Sequence, residues 1–133
     1  MTDVVIAGAA RTPVGAFNGG LSSVPASYLG TTAIKEAMSR AKVEPGEVEM
    51  GQILTAGAGQ NAARQAAMAA GIPQEKTAYQ INQLCGSGLR TVALGLQAIK
   101  SGDSRIVVAG GEQPMNQTPH GNQMQHGHAI GNV

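Results

Sequence analysis

The sequence has little cysteine, little excess charge and no long hydrophobic run. Its single cysteine, Cys85, excludes an internal disulfide framework and is typical of proteins from a reducing cytosol. Nine basic and eight acidic residues leave a formal net charge of +1, so nothing indicates binding to nucleic acid or to an anionic membrane. No apolar run approaches the ~20 residues that a bilayer span requires. These absences favour a cytoplasmic location and a globular fold.

The first residues and the glycine content of the chain also bear on its location and fold. The first six residues lack the basic region and the apolar block of a signal peptide, so we expect no secretion signal there. Glycine is abundant, at 19 of 133 residues, against a usual share of about 7%. Because no collagen-like period accompanies them, these glycines indicate turns and close packing. A chain of 133 residues is long enough for one domain with a core.

Short apolar runs alternate with helical patterns along most of the chain. The runs predict four strands, at 4–7, 51–55, 77–82 and 105–111, and each of the three segments between them carries a helical pattern. The order β-α-β-α-β-α-β predicts an α/β fold with a mainly parallel β-sheet and helices on both faces. The run Val4–Ala7 is continuously apolar, which is typical of a parallel strand covered on both sides.

Cys85 is predicted to lie on the turn between strand 77–82 and the next helix. A helix N-terminus stabilises a thiolate, and Gly86 and Gly88 leave room for a substrate carbonyl to approach backbone donors. This placement suits a nucleophile. The alternative is that Cys85 is a small buried hydrophobic residue beside glycines that the turn needs for steric reasons. No histidine lies near it in the sequence, so a base would have to come from elsewhere.

The helix after Cys85 carries apolar residues on more than one side. Leu89, Val92 and Leu96 follow helical spacing, and Leu94 adds an apolar group on another side. We therefore expect this helix to be buried nearly all round.

Two other kinds of site are weaker alternatives. Gly57, Gly59 and Ala62 satisfy the G-x-G-x-x-A form of a dinucleotide-binding turn between a strand and a helix. An acidic residue should then end the next strand to hold a ribose, but Asn82 occupies that position. Small residues at a tight turn explain the pattern equally well.

The three histidines are candidate metal ligands. His120, His126 and His128 lie in a polar tail that has no clear periodicity and offers no nearby carboxylate or thiol. Solvated loop histidines are the better interpretation, and we expect no bound metal.

Four segments together resemble the thiolases, a family of acetyl-CoA acetyltransferases. The segment 82–90, Asn-Gln-Leu-Cys-Gly-Ser-Gly-Leu-Arg, is similar to their nucleophile segment, and 11–15 resembles their opening signature. Residues 107–111 also match. Segment 57–65 resembles a loop near the active site and the dimer interface, where Arg64 would be a hydrogen-bonding anchor. The resemblance runs from Val4 to about His120.

The resemblance implies a thiolase-like layered fold of which this chain holds an incomplete N-terminal core half. Residues 1–118 would form that half, and 119–133 would be a polar loop resembling the start of the tetramerisation loop. Strand 77–82 would pair with its twin across a two-fold axis, so we expect a homo-oligomer, either a dimer or a tetramer. The segment Glu112–Asn116 departs from the family order Gly-Gly-x-Glu-Ser-Met-Ser, because its acid is displaced and a proline is inserted.

The resemblance also implies a reaction. Cys85 would take an acyl group from an acyl-CoA, and its backbone N–H is a candidate oxyanion donor. The product would be acetoacetyl-CoA from a Claisen condensation of acetyl-CoA, a transferase reaction of fatty acid metabolism. Coenzyme A would enter as the substrate thioester, with no separate cofactor.

The groups that complete this chemistry are missing. The family's activating histidine and second cysteine belong to a second core half, so this chain would carry only the nucleophile half and be inactive alone. That half would be the rest of the polypeptide or a second chain. The alternative is a non-catalytic thiolase-like fragment or assembly module, and a nucleotide-binding oxidoreductase is the third hypothesis.

Overall fold

The protein was analysed as a computed structural model, which describes residues 3–44 and 47–117. Helices and strands alternate through this part of the chain. They are α1 (Ala26–Ala41), β1 (Glu47–Gly51), α2 (Ala62–Ala69), β2 (Thr77–Ile81), α3 (Ser87–Ser101) and β3 (Val107–Gly111), followed by a short 3₁₀ helix at Met115–Gln117.

The three strands form one parallel sheet in the order β2-β1-β3. Gly51, the last residue of the central strand β1, is in register with Ile81 of β2 and with Gly111 of β3. All three carboxyl ends therefore lie level along one border of the sheet. The prediction of a mainly parallel sheet is confirmed, and β2 lies at an edge of this sheet, as expected.

The hydrophobic core lies between the sheet and the helix pair α1 and α2. Val48 and Met50 of β1 point to this side, where Ile34 of α1 and Ile72 are also almost fully buried. The alanines of α2 complete the cluster, at Ala63, Ala66 and Ala67, followed by Ala70. Their small side chains allow α2 to pack closely against both α1 and the sheet.

The other face of the sheet is covered by α3, which confirms helices on both faces. The face of α3 that meets the sheet is small and partly polar, consisting of Ser87, Thr91 and Gly95. Thr91 Oγ1 donates to Gly110 O at 3.0 Å, and a Cβ on Gly95 would lie only 3.1 Å from a Val107 methyl carbon. The backbones of helix and strand therefore approach closely.

The expectation that α3 is buried nearly all round is wrong. Leu89 is 80% exposed, and Val92 and Leu96 are 42% and 39% exposed. The reason is that the small residues of α3, rather than its large ones, face the sheet, and no element of residues 3–44 or 47–117 covers its outer side.

The prediction of a first strand at Val4–Ala7 is also wrong for this structure. Residues 3–15 form no helix or strand, and Val5 and Ile6 are 78% and 81% exposed. A strand requires a neighbour for its backbone hydrogen bonds. A cavity of about 1540 Å³ instead lies between this segment and the α1, α3 and β3 residues opposite. The Arg40 guanidinium holds the segment by donating to Ala9 O at 2.9 Å.

The second predicted strand, 51–55, is displaced towards the N-terminus, because β1 ends at Gly51. Gln52 N–H still donates to Ile81 O of β2, but beyond Gln52 the backbone bonds to side chains instead of to a strand. The N–H groups of Ile53 and Leu54 both donate to Gln113 Oε1, at 2.8 and 3.2 Å. An apolar run in the sequence does not show that a side chain will replace a neighbouring strand as the hydrogen-bond acceptor.

Some of the predictions concern residues that the structure does not describe, and others can be compared with the described residues only. The boundary at 118/119 and the histidines at 120, 126 and 128 fall in the tail that the structure does not describe. Within the described ranges, no cluster of potential metal ligands is present. In the same ranges, no helix has the length and apolarity needed to cross a bilayer.

Candidate active site

The carboxyl ends of the strands provide the base on which α3 begins. A Cβ on Gly51 would lie 2.5 to 2.7 Å from atoms of Ser87 and Gly88, and the Cβ position of Gly111 is 3.4 Å from Gly88 Cα. The contact at Gly51 is too short for any Cβ, so only glycine fits there, whereas the distance at Gly111 is ordinary van der Waals contact. The first turn of α3 therefore rests directly on the ends of β1 and β3.

Cys85 lies on the turn between β2 and α3, as predicted, and is exposed. Within the turn, Gly86 N–H donates to Gln83 O at 3.1 Å, and Ser87 N–H donates to Leu84 O at 3.0 Å. The interpretation of Cys85 as a small buried hydrophobic residue is wrong, because solvent reaches it. Its exposure at a helix N-terminus is compatible with attack on a substrate carbonyl.

Ser87 closes the turn from inside. Ser87 is only 3% exposed. Its hydroxyl accepts from Gln83 N–H at 2.8 Å and donates to Leu84 O at 2.6 Å. Both bonds act on the two residues that precede Cys85. The turn is therefore held in one conformation by a buried side chain.

Asn82 holds the same turn from outside. Its Nδ2 donates to Ile53 O at 2.9 Å, and its Oδ1 accepts from Leu84 N–H at 3.0 Å. Leu84 has a φ of 51°, in the left-handed region that side chains with a Cβ disfavour. The residue before the candidate nucleophile is thus strained and held by hydrogen bonds on both sides.

Sequence reasoning did not find the roles of Ser87, Gln113 or the Asn82 side chain. A signal existed only for Asn82, since asparagine often bonds to the backbone N–H two residues ahead. A serine at the start of a helix is common and does not indicate this role. Gln113 forms hydrogen bonds with residues about 60 positions away in the chain. Such long-range bonds leave no local pattern in a sequence.

The dinucleotide interpretation is not supported at the start of α2. Gly57 and Gly59 do adopt positive φ angles, of 78° and 76°. The first N–H groups of the helix are already bonded, however, because Ala62 N–H donates to Gln80 Oε1 at 2.8 Å and Asn61 Oδ1 accepts from Arg64 N–H at 3.0 Å. The protein's own side chains occupy donors that a phosphate would need.

Arg64 is a structural anchor, as expected. Its guanidinium donates to the carbonyl groups of Lys76 and Gln74 in the connection between α2 and β2. These bonds fix the entry of the chain into β2, the strand that leads to Cys85.

A buried carboxyl group lies on the opposite side of the sheet. Glu112 is 6% exposed, and neither of its carboxyl oxygens has a hydrogen-bond partner among the described residues. Burial raises the pKa of Glu112 to about 7. Its Oε2 fills the space where a Cβ of Gly30 would be, at 2.0 Å, so it contacts α1. Glu112 therefore belongs to the core side and not to the turn of Cys85.

The comparisons with known proteins identify the family. The family model described as "Thiolase, N-terminal domain" matches residues 4–132. The chain belongs to the thiolase family. The match covers the turn of Cys85, the glycine-containing strand ends beneath α3 and the anchor residue Arg64.

The similar proteins are acetyl-CoA acetyltransferases. One from Rhizobium meliloti (strain 1021) is 59% identical over 120 residues, which are 88% of this thiolase chain and 30% of the relative. The cytosolic acetyl-CoA acetyltransferase of Rattus norvegicus is 52% identical over 98% of this chain and 34% of its own length. This chain therefore spans about a third of the length of these relatives.

A solved structure confirms the layered fold. The Acat5 thiolase from Ascaris suum, crystallised in complex with coenzyme A, superimposes with a TM-score of 0.91 at 37% sequence identity. The superposition covers 99% of this chain and 35% of that one. The prediction of an incomplete thiolase-like α/β fold is therefore confirmed.

Proposed function

We propose that this chain supplies the nucleophile part of an acetyl-CoA acetyltransferase, with Cys85 as the acyl acceptor. The observation that carries the proposal is the exposed thiol of Cys85 on a rigid turn at the N-terminus of α3, in a chain of the thiolase family. The substrate is an acyl-CoA, which is in keeping with the coenzyme A bound to the similar Ascaris suum thiolase.

The first step is acyl transfer to sulfur. The Cys85 thiolate attacks the carbonyl carbon of acetyl-CoA, a new carbon–sulfur bond forms, and the bond to the coenzyme A sulfur breaks. Coenzyme A leaves as a thiolate and takes a proton. The Cys85 backbone N–H is our candidate donor to the oxyanion of this step.

The second step forms the carbon–carbon bond. A second acetyl-CoA loses an α-proton to a base, and its carbanion attacks the S-acetyl carbon to release acetoacetyl-CoA and the Cys85 thiolate. No histidine or second cysteine lies within residues 3–44 and 47–117 to act as that base. Another part of a thiolase must supply it, either further polypeptide or a second chain.

The exposed side of α3 supports the proposal that another part of a thiolase completes the site. Leu89, Val92 and Leu96 lie uncovered on it, and the cavity between α3 and residues 3–15 is continuous with this side. Exposed apolar areas of this kind indicate a surface that another part of a protein covers. We propose that the missing part of the thiolase packs here, next to Cys85.

We further propose that the complete protein is a homo-oligomer, dimer or tetramer, in the cytoplasm, with a role in fatty acid metabolism. The edge position of β2 supports an association through that strand, because bare sheet edges pair readily. Sedimentation at micromolar concentration should show a dimer or a larger species, and a monomer would contradict this part of the proposal.

The test separates the reaction from its alternative, a non-catalytic fragment or assembly module. The chain is incubated with acetyl-CoA alone and with a separately produced polypeptide that carries the rest of a thiolase, and coenzyme A release is measured. We expect no turnover by the chain alone and turnover in the mixture. Mass spectrometry of the mixture should show one acetyl group, attached to Cys85.

The control is Cys85→Ala in the same mixture, which should abolish both acetylation and release. Acetylation of another residue, or a mixture in which wild type is as inactive as Cys85→Ala, would favour the non-catalytic alternative. Catalytic release by the wild-type chain alone would show that the chain is not an incomplete enzyme.

A further inference from the structure

Asn82 connects the turn of Cys85 to the loop that follows β1. Its Nδ2 bonds to Ile53 O in the loop after β1, and its Oδ1 bonds to the N–H of Leu84, the residue directly before Cys85. One exposed side chain therefore joins the end of β1 to the backbone that carries the candidate nucleophile.

The loop after β1 is a firm point of attachment. Gln113, which follows β3, accepts from the N–H groups of Ile53 and Leu54 at 2.8 and 3.2 Å. Gln52 N–H donates to Ile81 O at 3.1 Å, at the end of β2. Gln113 after β3 and Ile81 at the end of β2 thus hold the loop whose Ile53 carbonyl accepts from Asn82.

The backbone at Leu84 needs such support. Its φ of 51° lies in the left-handed region, where the Cβ of an ordinary residue is crowded. Asn82 binds the N–H of Leu84, while the Ser87 hydroxyl donates to its carbonyl. If the first of these bonds is lost, Leu84 can return to a favourable φ, and the Cys85 thiol and N–H then turn away together.

We propose that Asn82 is a positioning residue for Cys85. It touches no reacting atom and acts through the Leu84 backbone, by holding the strained turn in the conformation that presents the thiol at the start of α3. The inference rests on the proposed role of Cys85 as the nucleophile. Asn82 is exposed, so it can be replaced without creating a cavity in the core.

The experiment uses Cys85 as its own reporter, because it is the chain's sole cysteine. The rate of alkylation by iodoacetamide at pH 7 is divided by the rate for the same chain unfolded in urea. We expect a ratio above one for wild type. Asn82→Ala should lower the ratio about fivefold, the factor that corresponds to one net hydrogen bond.

Asn82→Ser is the conservative variant. A serine hydroxyl can accept from the N–H two residues ahead, but it is too short to replace the bond to Ile53 O. We expect a ratio between those of wild type and Asn82→Ala. A purely structural role would not restore reactivity in this graded way.

Asn61→Ala is the matched control. Asn61 is also exposed, also precedes a helix, donates to Ala78 O at 3.0 Å and accepts from Arg64 N–H at 3.0 Å. It makes the same two kinds of bond away from Cys85. We expect Asn61→Ala to lower the thermal unfolding temperature and to leave the alkylation ratio unchanged.

The outcomes separate this inference from the proposed function. A wild-type ratio of one would overturn the positioning role, because the turn would then give the thiol no special reactivity, whereas the proposed function fails only if Cys85 is not acetylated in the mixture with the rest of a thiolase. A wild-type ratio above one that Asn82→Ala does not change would overturn the positioning role alone. So would an equal decrease in Asn61→Ala. If circular dichroism shows Asn82→Ala to be unfolded, a folded Asn82→Ser with the wild-type ratio would overturn it.

Discussion

The two faces of the sheet are built in opposite ways. On the side of α1 and α2, large side chains point inward, and Ile34, Val48 and Met50 are at most 2% exposed. On the side of α3, small residues point inward, and the large residues Leu89 and Leu96 face outward. The first face is a packed hydrophobic core, whereas the second is a close backbone contact that leaves apolar surface uncovered.

The difference shows how one sheet can serve both stability and chemistry. Burial of large apolar groups stabilises the first face by roughly 1.5 to 3 kcal/mol per side chain. The second face gains less from burial, but its glycines and small residues place the N-terminus of α3, and with it Cys85, directly on the strand ends. The following predictions test this division, from the largest effect to the smallest.

The largest effect is expected in the core. Ile34→Ala should reduce the free energy of unfolding by roughly 2 to 5 kcal/mol, because it removes buried methylene groups and leaves a cavity. Leu89→Ala, the matched change on the outer side of α3, should change it by about 0.5 kcal/mol or less. Urea unfolding followed by circular dichroism measures both. Equal losses for the two variants would contradict the division into a packed face and an uncovered face.

The next effect concerns Glu112, the buried carboxyl of the core side. Burial raises its pKa from 4.5 to about 7, so between these values the folded chain binds more protons than the unfolded chain. Stability therefore falls as the pH rises through this window, by up to about 3 kcal/mol. Glu112→Gln should remove this loss, with the gain over wild type largest above pH 7 and smallest below pH 5.

Thermal unfolding across this pH range checks the prediction. Glu44→Gln, a change of the same chemical type at an exposed position, is the control and should leave the pH dependence as in wild type. A gain for Glu112→Gln that is the same at all pH values would show that the carboxyl does not titrate in this window.

The smallest effect should appear at the contact between β1 and α3. Gly51→Ala places a Cβ within 2.5 to 2.7 Å of Ser87 and Gly88 backbone and side-chain atoms, so the first turn of α3 must move. We expect a loss of about 1 to 3 kcal/mol in stability, the usual cost of overpacking. The alkylation rate of Cys85 should also approach that of the unfolded chain.

Gly20→Ala provides the control, since a Cβ at Gly20 would meet no atom within 4 Å. It should change neither stability nor Cys85 alkylation appreciably. If Gly51→Ala reduced stability but left the alkylation rate unchanged, the contact would support the fold without positioning the thiol.

Features that depend on neighbouring residues could be predicted from the amino-acid sequence alone. Helical periodicity located α1, α2 and α3, and the alternation of elements predicted a parallel sheet, because each pattern arises within one element. The position of Cys85 on a turn followed from the strand before it and the glycines beside it, whereas its exposure did not. The family resemblance was visible in four short segments, because each of them is continuous in the chain.

Features that depend on residues far apart in the chain could not be predicted in this way. Val4–Ala7 has the composition of a strand but no pairing neighbour in the described chain. Strand pairing after β1 does not continue past Gln52, because Gln113 accepts from the N–H groups of Ile53 and Leu54. Which side of α3 is buried was set by the close fit of Gly95 to Val107 and not by hydrophobicity. Hydrogen bonds and steric fit between distant segments have no local pattern, so they emerge only when the chain is folded.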